Sequence, residues 1–259
     1  NPLVGDVSGN IDKLISIRAG LKDDVDILVA PELYVSGYPI DDLVLREDFL
    51  NLVEKEINKL ADSTKDKKSA IIVGAPRKDN NSIKNSVFVI ENGKIISIKD
   101  KYELPNTGVF DEQRIFKQGS LEDCVDIKGV KFGLPICEDI WEKTVLEKLS
   151  KSGAEIIIAI NASPFTVSKN EERESVTKLR VNETKLPIVY LNRTGGQDEL
   201  IFDGSSFALN HDGKKFYNSS EFKEETAQIS FQKTNGKWSG QGNLNDSSSS
   251  TERLYKALV

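Results

Sequence analysis

Short, almost wholly apolar segments alternate along the chain with longer stretches in which apolar residues recur at helical spacing. The short segments are β-branched and bounded by turn residues, which is typical of buried strands. The predicted strands are residues 25–31, 70–76, 133–137, 154–161 and 187–192. The predicted helices are residues 10–21, with Asn10 as N-cap, and residues 41–60, 141–149 and 170–184. This alternation predicts an α/β layered fold.

Two-residue turns of the kind that closes β-hairpins lie between further apolar runs. They are Asn92-Gly93 between residues 86–90 and 94–98, Lys128-Gly129 between residues 125–127 and 130–132, and Asp212-Gly213 later in the chain. Hairpins join antiparallel strands, whereas strand-helix alternation favours parallel ones. The sheets are therefore predicted to be mixed.

The length of 259 residues, of which 38% are hydrophobic, suffices for one sizeable core. We predict one domain over residues 1–232. Residues 233–250 are rich in Gly, Asn and Ser and are predicted to form a flexible loop. Residues 251–259 return to a helical pattern, which we interpret as the start of a linker helix towards a domain absent from this chain.

The composition narrows the expected partners and compartment. A formal net charge of −6, without a basic run, argues against a nucleic-acid partner. No apolar stretch approaches the roughly 18–20 residues that span a bilayer, and no secretion signal begins the sequence. We therefore expect no membrane partner and a cytoplasmic location. Two separated cysteines, Cys124 and Cys137, suit free thiols in a reducing compartment.

The single histidine, His211, removes most of the common hydrolase mechanisms. It lies in the turn sequence Asn210-His211-Asp212-Gly213, where an exposed side chain is expected and an imidazole is hard to hold in a fixed geometry. A Ser-His-Asp triad, a Cys-His pair or a histidine-ligated zinc ion would each require it. No metal site is expected, and a hydrolase of this sequence must use a carboxylate or an amine as its base.

Cys137 is the better candidate nucleophile of the two thiols. It ends an apolar run and precedes Glu138, Asp139 and a predicted helix, so it is expected at a strand-to-helix turn. The N-terminus of the helix would favour a thiolate. A buried structural cysteine stays open as an alternative. Cys124 lies among carboxylates, which disfavour a thiolate, and we interpret it as structural.

Glu32 and Lys101 are candidate partners for a cysteine nucleophile. Glu32 closes a buried strand, where α/β folds commonly place functional residues, and partial desolvation makes a carboxylate a better acceptor for a thiol proton. Lys101 ends the second strand of a predicted hairpin and could direct its ammonium into the same cleft. A helix cap or loop acid stays open for Glu32, and a solvated surface charge stays open for Lys101.

These three residues lie within longer strings, which are Pro31-Glu32-Leu33 with Ser36-Gly37-Tyr38-Pro39, residues 101–106, and residues 135–141. In order and context the strings resemble the Glu-Lys-Cys signature of the nitrilase, or carbon–nitrogen hydrolase, superfamily. Residues 1–6, 108–112, 161–164 and 195–204 further resemble the glutaminase domains of glutamine-dependent NAD synthetases. The resemblance covers nearly the whole chain, and residues 253–259 resemble the junction into a synthetase domain.

The resemblance implies a four-layer α-β-β-α sandwich with two mixed sheets, and a homo-oligomer. It also implies a mechanism in which Glu32 accepts the proton of Cys137 and the thiolate attacks the side-chain amide of glutamine. Ammonia leaves, and water cleaves the resulting thioester to glutamate. Lys101 would stabilise the oxyanion of each tetrahedral intermediate. No cofactor is expected for this reaction.

The resemblance also implies contacts to the amino-acid end of glutamine. The implied contact residues are Tyr38, Phe110, Glu138, Ser163 and Lys169. Lys169 would pair with the α-carboxylate and Glu138 with the α-ammonium. Glu112 is interpreted as a supporting acid that fixes the ammonium of Lys101, with a surface loop acid left open.

A Gly-Ser-rich pyrophosphate-binding loop is missing from the sequence, since residues 247–250 lack both the glycines and a preceding strand. The chain is therefore expected to release ammonia only. A synthetase domain outside it would use that ammonia with ATP and Mg to make NAD from nicotinic acid adenine dinucleotide. Two other readings stay open, namely a free-standing nitrilase-family amidase for another small carboxamide and a non-enzymatic binding or regulatory domain.

Overall fold

The computed structural model describes residues 1–246 and 248–259. The chain divides into two compact units, residues 2–122 and residues 123–259, and Asn1 belongs to the second. Each unit contains its own multi-stranded mixed sheet. The prediction of a single domain over residues 1–232 did not separate these two units.

The unit of residues 2–122 is built on a sheet of order β1-β2-β3-β4. Its elements are α1 (Val7–Ala19), β1 (Ile27–Val29), a 3-10 helix (Asp41–Leu45), α2 (Glu47–Asp62), β2 (Ala70–Asp79), β3 (Ser82–Glu91), β4 (Lys94–Asp100) and the one-turn helix α3 (Glu112–Ile115). β1 pairs parallel with β2, and the other neighbours pair antiparallel. Asn92 and Gly93 have φ of 53° and 79° and close the β3–β4 hairpin, as the sequence predicted.

The core of this unit lies between the sheet and the apolar faces of its two long helices. α2 buries Phe49, Val53, Ile57 and Leu60, which share one helical face, and it contacts both α1 and β2. The first seven residues of β2, 70–76, are all buried. The continuous apolar pattern of this strand therefore reflects burial on both faces, as expected for a strand with a parallel neighbour.

The start of α1 corrects the sequence-based expectation. Asp6, not Asn10, is the N-cap, because its Oδ1 accepts a hydrogen bond from the N–H of Gly9 at 3.0 Å. Asn10 lies buried inside the first turns, and its amide binds the main chains of Leu3 and Val35. The Asn10 amide is therefore used by two other main-chain segments and caps no helix.

The single helix predicted over residues 41–60 is also corrected. Arg46 has an extended backbone, with φ of −79° and ψ of 126°, and divides the segment into the 3-10 helix Asp41–Leu45 and α2. Apolar spacing continued through this break, so periodicity alone could not locate it.

The unit of residues 123–259 is built on a sheet of order β12-β11-β8-β7-β6-β5. Its elements are β5 (Val125–Ile127), β6 (Val130–Gly133), a 3-10 helix (Cys137–Ile140), α4 (Lys143–Lys151), β7 (Ile156–Asn161), α5 (Lys169–Thr184), β8 (Ile188–Asn192), β9 (Thr194–Gln197), β10 (Leu200–Asp203), β11 (Phe207–Leu209), β12 (Lys215–Asn218), β13 (Ser230–Thr234), β14 (Lys237–Gln241) and α6 (Ser250–Leu258).

The centre of this second sheet is parallel and its edges are antiparallel. β6, β7 and β8 run parallel, whereas β5 and β11 pair antiparallel with their neighbours. All six residues of β7 are buried. The hairpins predicted at Lys128-Gly129 and Asp212-Gly213 are present as β5–β6 and β11–β12. Mixed sheets are therefore confirmed in both units.

The loop predicted over residues 233–250 is wrong in its first part. β13 and β14 form a hairpin there, and its turn is Asn235-Gly236 with φ of 52° and 77°. Its strands are mostly exposed, so they lack the apolar runs by which the other strands were recognised. Within the remaining loop, Ser247 lies outside the described residues. α6 then occupies the segment where a helix was predicted, with the hydroxyl of Ser249 as its cap.

Among residues 1–246 and 248–259, every helix is too short or too polar to cross a bilayer.

Gly74 is expected to be intolerant of any side chain. A Cβ at this position would lie 2.4 Å from the backbone N of Leu33 and 2.7 Å from the carbonyl O of Pro31. Because main chain cannot yield as a flexible side chain can, we expect Gly74→Ala to lower the free energy of unfolding by about 1–3 kcal/mol in urea denaturation.

The matched control is Gly20→Ala at the end of α1, where the nearest atom to a new Cβ is 3.6 Å away and φ is −85°. This change should be neutral or stabilise by about 0.5 kcal/mol. Equal unfolding free energies for the two variants would contradict the close approach.

Candidate active site

Glu32 is placed by the end of β1. Directly after β1, the N–H of Ala30 donates to the carbonyl of Ile72 on β2 at 2.8 Å. Gly74 then allows the chain to turn closely past β2, and Leu33 adopts the left-handed region with φ of 45°. The turn leaves the Glu32 side chain buried, with 1% of the residue exposed. Glu32 therefore caps no described helix and lies in the turn after β1 as a buried acid.

Lys101 lies directly after β4 and is equally buried, with 1% exposed. Its N–H donates to the carbonyl of Asn85 at 2.8 Å, and its carbonyl accepts from the N–H of Gly119 at 2.8 Å. These two hydrogen bonds extend the strand pairing by one residue beyond β4, and the side chain of Lys101 is directed into the interior. The surface alternative for Lys101 is wrong.

The ammonium of Lys101 joins two carboxylates. Nζ lies 2.8 Å from Oε1 of Glu32 and 2.9 Å from each carboxylate oxygen of Glu112. The amide of Asn85 donates to Oε1 of Glu32 at 2.8 Å, and the hydroxyl of Tyr38 donates to Oε1 of Glu112 at 3.2 Å. We call these five residues the acid–lysine cluster. Segments far apart in the sequence therefore form one buried hydrogen-bonded group.

Glu112 is the acid of this cluster whose pKa is raised. It is 5% exposed, which overturns the surface alternative. One ammonium can neutralise only one of two carboxylates, and a second buried negative charge is costly. Burial raises the pKa of Glu112 to about 7, with Lys101 lowering it and Glu32 raising it further. Near neutral pH Glu112 is therefore divided between its protonated and its ionised form.

Asn85 was not identified from the sequence. It lies in β3 beside Ser86, directly before the apolar run of residues 87–90, and both polar residues are buried. A polar pair in a buried strand needs hydrogen-bond partners, and this was the available signal. Ser86 uses a different partner, since its hydroxyl donates to Asp100 at 2.6 Å.

Cys137 begins the 3-10 helix of the second unit, beyond the end of β6. Its φ is 49°, which is strained for a residue with a side chain, and it is 4% exposed. The N–H of Ile136 donates to Oδ2 of Asp139 at 2.9 Å, and Ile136 forms a single parallel bridge with Ile160 of β7. The predicted strand-to-helix turn is confirmed in this form.

The helix after Cys137 differs from the prediction. A single 3-10 turn, Cys137–Ile140, follows the cysteine, and α4 begins only at Lys143 instead of at Trp141. A macrodipole requires several aligned peptide units, so the dipole argument for a thiolate is weaker than the sequence suggested. The strained turn itself, which presents the side chain at a strand end, is the remaining argument for a nucleophile.

Lys169 and Glu138, the predicted charges for a zwitterionic ligand, lie on different elements of this unit. Lys169 starts α5, where its Nζ lies 3.2 Å from Oε2 of Glu172 and 4.3 Å from the ring centre of Trp141. Trp141 follows the turn that carries Glu138, which is half-buried. The cation–π contact therefore links the start of α5 to the segment after Cys137.

Ser163 lies after β7 and its backbone is held on both sides. Its N–H donates to Oδ1 of Asn192 at 2.9 Å, and its carbonyl accepts from Nδ2 of the same amide at 3.0 Å. It is 3% exposed. In the first unit, Tyr38 belongs to the acid–lysine cluster and Phe110 is half-buried in the segment before α3.

His211 lies in the β11–β12 turn, as predicted, but it is half-buried and not exposed. Glu32, Lys101, Glu112, Tyr38 and Phe110 belong to the unit of residues 2–122, whereas Cys137, Glu138, Ser163 and Lys169 belong to the other. The structure thus assembles the acid–lysine cluster within one unit and the nucleophile turn within the other. The joint action of the two groups stays a prediction.

A family model described as "Carbon-nitrogen hydrolase" matches residues 1–238. Curated relatives include the glutamine-dependent NAD(+) synthetase of Rhodobacter capsulatus, which is 36% identical over 239 residues, or 92% of this chain and 43% of the relative. The enzyme of the same name from Acinetobacter baylyi is 36% identical over 228 residues, or 87% of this chain and 41% of the relative. The chain thus spans less than half the length of these relatives.

Solved structures agree with the fold. A glutamine-dependent NAD+ synthetase from Acinetobacter baumannii, in complex with ADP, superposes with a TM-score of 0.91 at 32% identity and covers all of this chain, which spans 49% of that chain. A carbon-nitrogen hydrolase from Helicobacter pylori superposes with a TM-score of 0.75 at 21% identity, over 86% of this chain and 84% of that chain. The predicted nitrilase-like α/β fold is confirmed.

The raised pKa of Glu112 makes stability depend on pH. The folded chain keeps a proton that the unfolded chain releases, so the free energy of unfolding should fall as pH rises from 4.5 to about 7 and then level. The contribution is at most roughly 3 kcal/mol. Glu112→Gln cannot titrate and should lose this part of the pH dependence.

Urea denaturation of both proteins across this range measures the effect. Glu56→Gln, which changes another buried glutamate on α2, is the control and should retain the pH dependence. Parallel stability curves for wild type and Glu112→Gln would contradict a proton held on Glu112.

Proposed function

We propose that this chain, which belongs to the carbon–nitrogen hydrolase family, hydrolyses the side-chain amide of glutamine to glutamate and ammonia. The observation that carries the proposal is the acid–lysine cluster. Burying two carboxylates and an ammonium gives little stability that apolar side chains would not give at lower cost. Buried, strongly perturbed groups of this kind are characteristic of catalytic sites.

The proposed reaction begins with the thiol of Cys137. Glu32 accepts its proton, and the thiolate attacks the carboxamide carbon to form a tetrahedral intermediate. Lys101 donates a hydrogen bond to the oxyanion. The intermediate collapses as Glu32 returns the proton to the leaving nitrogen, so ammonia departs and a thioester remains. Water, deprotonated by Glu32, then attacks the thioester and releases glutamate and the thiol.

Glu112 would support this cycle without taking part in the proton transfer. Its carboxyl group accepts both from Lys101 and from Tyr38, which fixes the ammonium in place. The role of proton acceptor is assigned to Glu32 because this residue, and not Glu112, lies in the strings that resemble the Glu-Lys-Cys signature. The two acids are therefore assigned different tasks.

The substrate would be held by its zwitterionic end. Lys169 is proposed for the α-carboxylate and Glu138 for the α-ammonium. Lys169 can keep its contact with Trp141 while doing so, because an ammonium has three donors. Ser163, Tyr38 and Phe110 are proposed as further contacts, and Tyr38 would act partly through Glu112.

The names of the relatives support a wider proposal. Ammonia released here would be used by an NAD synthetase domain of the parent chain, with ATP and Mg, to convert nicotinic acid adenine dinucleotide to NAD. A cytoplasmic location and a homo-oligomer remain part of this proposal. The alternative is an amidase of the nitrilase superfamily acting on another small carboxamide.

Cys137→Ala is expected to lower ammonia release from glutamine by at least about a thousandfold, since no thioester can form. Cys124→Ala, the matched change at the other thiol, should leave the rate unchanged, because its sulfur contacts only the carbonyl of Ser152 among the contacts described. Equal activity of Cys137→Ala and wild type would exclude the mechanism. Activity on a simple carboxamide but not on glutamine would favour the amidase alternative.

Glu32→Gln keeps the shape of the side chain but removes the proton acceptor. We expect kcat to fall by about a hundredfold or more. Glu56→Gln applies the same change to a buried glutamate outside the cluster and should retain kcat. A Glu32→Gln enzyme within a few-fold of wild type would show that another group accepts the proton.

A further inference from the structure

Arg173 on α5 is fully buried and makes five hydrogen bonds. Nη1 binds both carboxylate oxygens of Asp203, at 2.9 and 3.1 Å. Nη2 binds the carbonyls of Ser163 and Pro164, each at 2.8 Å. Nε donates to Oγ of Ser163 at 3.1 Å. The hydroxyl of Ser205 donates to Asp203 at 2.6 Å and completes the charge pair.

This arrangement is more specific than a buried ion pair needs to be. Asp203 alone neutralises Arg173, and Asn192 already holds the backbone of Ser163 on both sides. The bond from Nε to the Ser163 hydroxyl therefore adds neither charge balance nor main-chain order. This hydrogen bond instead occupies one acceptor site of the Ser163 hydroxyl oxygen.

Occupying this site fixes the direction of the Ser163 hydroxyl. A serine hydroxyl has one proton and two acceptor sites, whereas a guanidinium donates and never accepts. Facing Arg173, Ser163 can only accept, so its proton is left for a different acceptor. A carboxylate is an acceptor only and is matched by such a donor.

The neighbourhood of Ser163 includes the proposed nucleophile. Ile136, which precedes Cys137, bridges Ile160 of β7, and Ser163 lies three residues beyond Ile160. β6, β7 and β8 run parallel, so the turn of Cys137 and the segment of Ser163 both follow the carboxyl ends of neighbouring strands. Ser163 is held there by Asn192 at the end of β8.

We propose that Arg173 is a positioning residue that holds Ser163 as a hydrogen-bond donor towards the α-carboxylate of the substrate. The inference rests on the proposed function, because it takes the substrate to be an amino-acid amide. Arg173 touches no reacting atom, so it contributes to substrate binding and not to the chemical step.

The test is a double-mutant cycle on KM and kcat for glutamine. Arg173→Lys keeps the charge opposite Asp203, but one ammonium cannot also reach the Ser163 hydroxyl and both carbonyls. We expect KM to rise about tenfold to a hundredfold with kcat nearly unchanged, since a hydrogen bond to a charged group is lost. Ser163→Ala should raise KM to a similar extent. In the Ser163→Ala background Arg173→Lys should then have little further effect.

Arg180→Lys is the matched control, because Arg180 is a second buried arginine on α5 and pairs with Glu183 at 3.0 Å. It should leave KM unchanged. If Arg173→Lys does not fold, Asp203→Asn replaces it in the test. The neutral amide holds Arg173 less firmly, so KM should rise by a smaller factor than in Arg173→Lys. In the Ser163→Ala background, Asp203→Asn should not raise KM further. Thermal unfolding of each variant verifies the fold.

An unchanged KM in Arg173→Lys, a KM effect that persists in full with Ser163→Ala, or an equal effect of Arg180→Lys would overturn the inference while the glutaminase function stands. Failure of the function gives a different pattern. Wild type would neither hydrolyse glutamine nor be labelled at Cys137 by a diazo-ketone analogue of glutamine, and both proposals would then fall.

Discussion

The burial of one ammonium between two carboxylates is the interaction on which the first unit depends. A lysine with 1% exposure would cost several kcal/mol without its partners, so the Lys101 position is tenable only when Glu32 and Glu112 are in place. The end of β1, the residue after β4 and the turn of α3 are therefore fixed relative to one another by charge. The cluster carries one carboxylate more than its ammonium can neutralise, and burial raises the pKa of Glu112 to about 7.

Much of this unit could be predicted from local patterns. Apolar runs located β2, and Asn92-Gly93 located the β3–β4 hairpin, because burial and turn geometry are decided by neighbouring residues. The acid–lysine cluster is different. From the residues alone, Glu32 and Lys101 each had a surface or capping alternative, and only the resemblance to a known signature joined them. Contacts between positions 32, 101 and 112 depend on the tertiary fold, which no local pattern encodes.

The parts that could not be predicted share a cause. The N-cap at Asp6, the break at Arg46 and the exposed hairpin β13–β14 are settled by burial or by backbone angles that apolar periodicity does not report. Arg173 shows the same limit in the second unit. α5 is a strongly polar sequence in which a fully buried arginine cannot be told from its solvated neighbours. Its burial and its five hydrogen bonds depend on the tertiary fold and leave no local signal in the sequence.

The backbone of Cys137 carries a further consequence. A side chain in the left-handed region costs roughly 1–2 kcal/mol, and glycine would pay none of it. Replacing Cys137 by glycine would relieve this backbone strain, whereas any residue with a side chain would still carry it. Backbone preference and the chemistry proposed for the thiol therefore oppose each other at this turn.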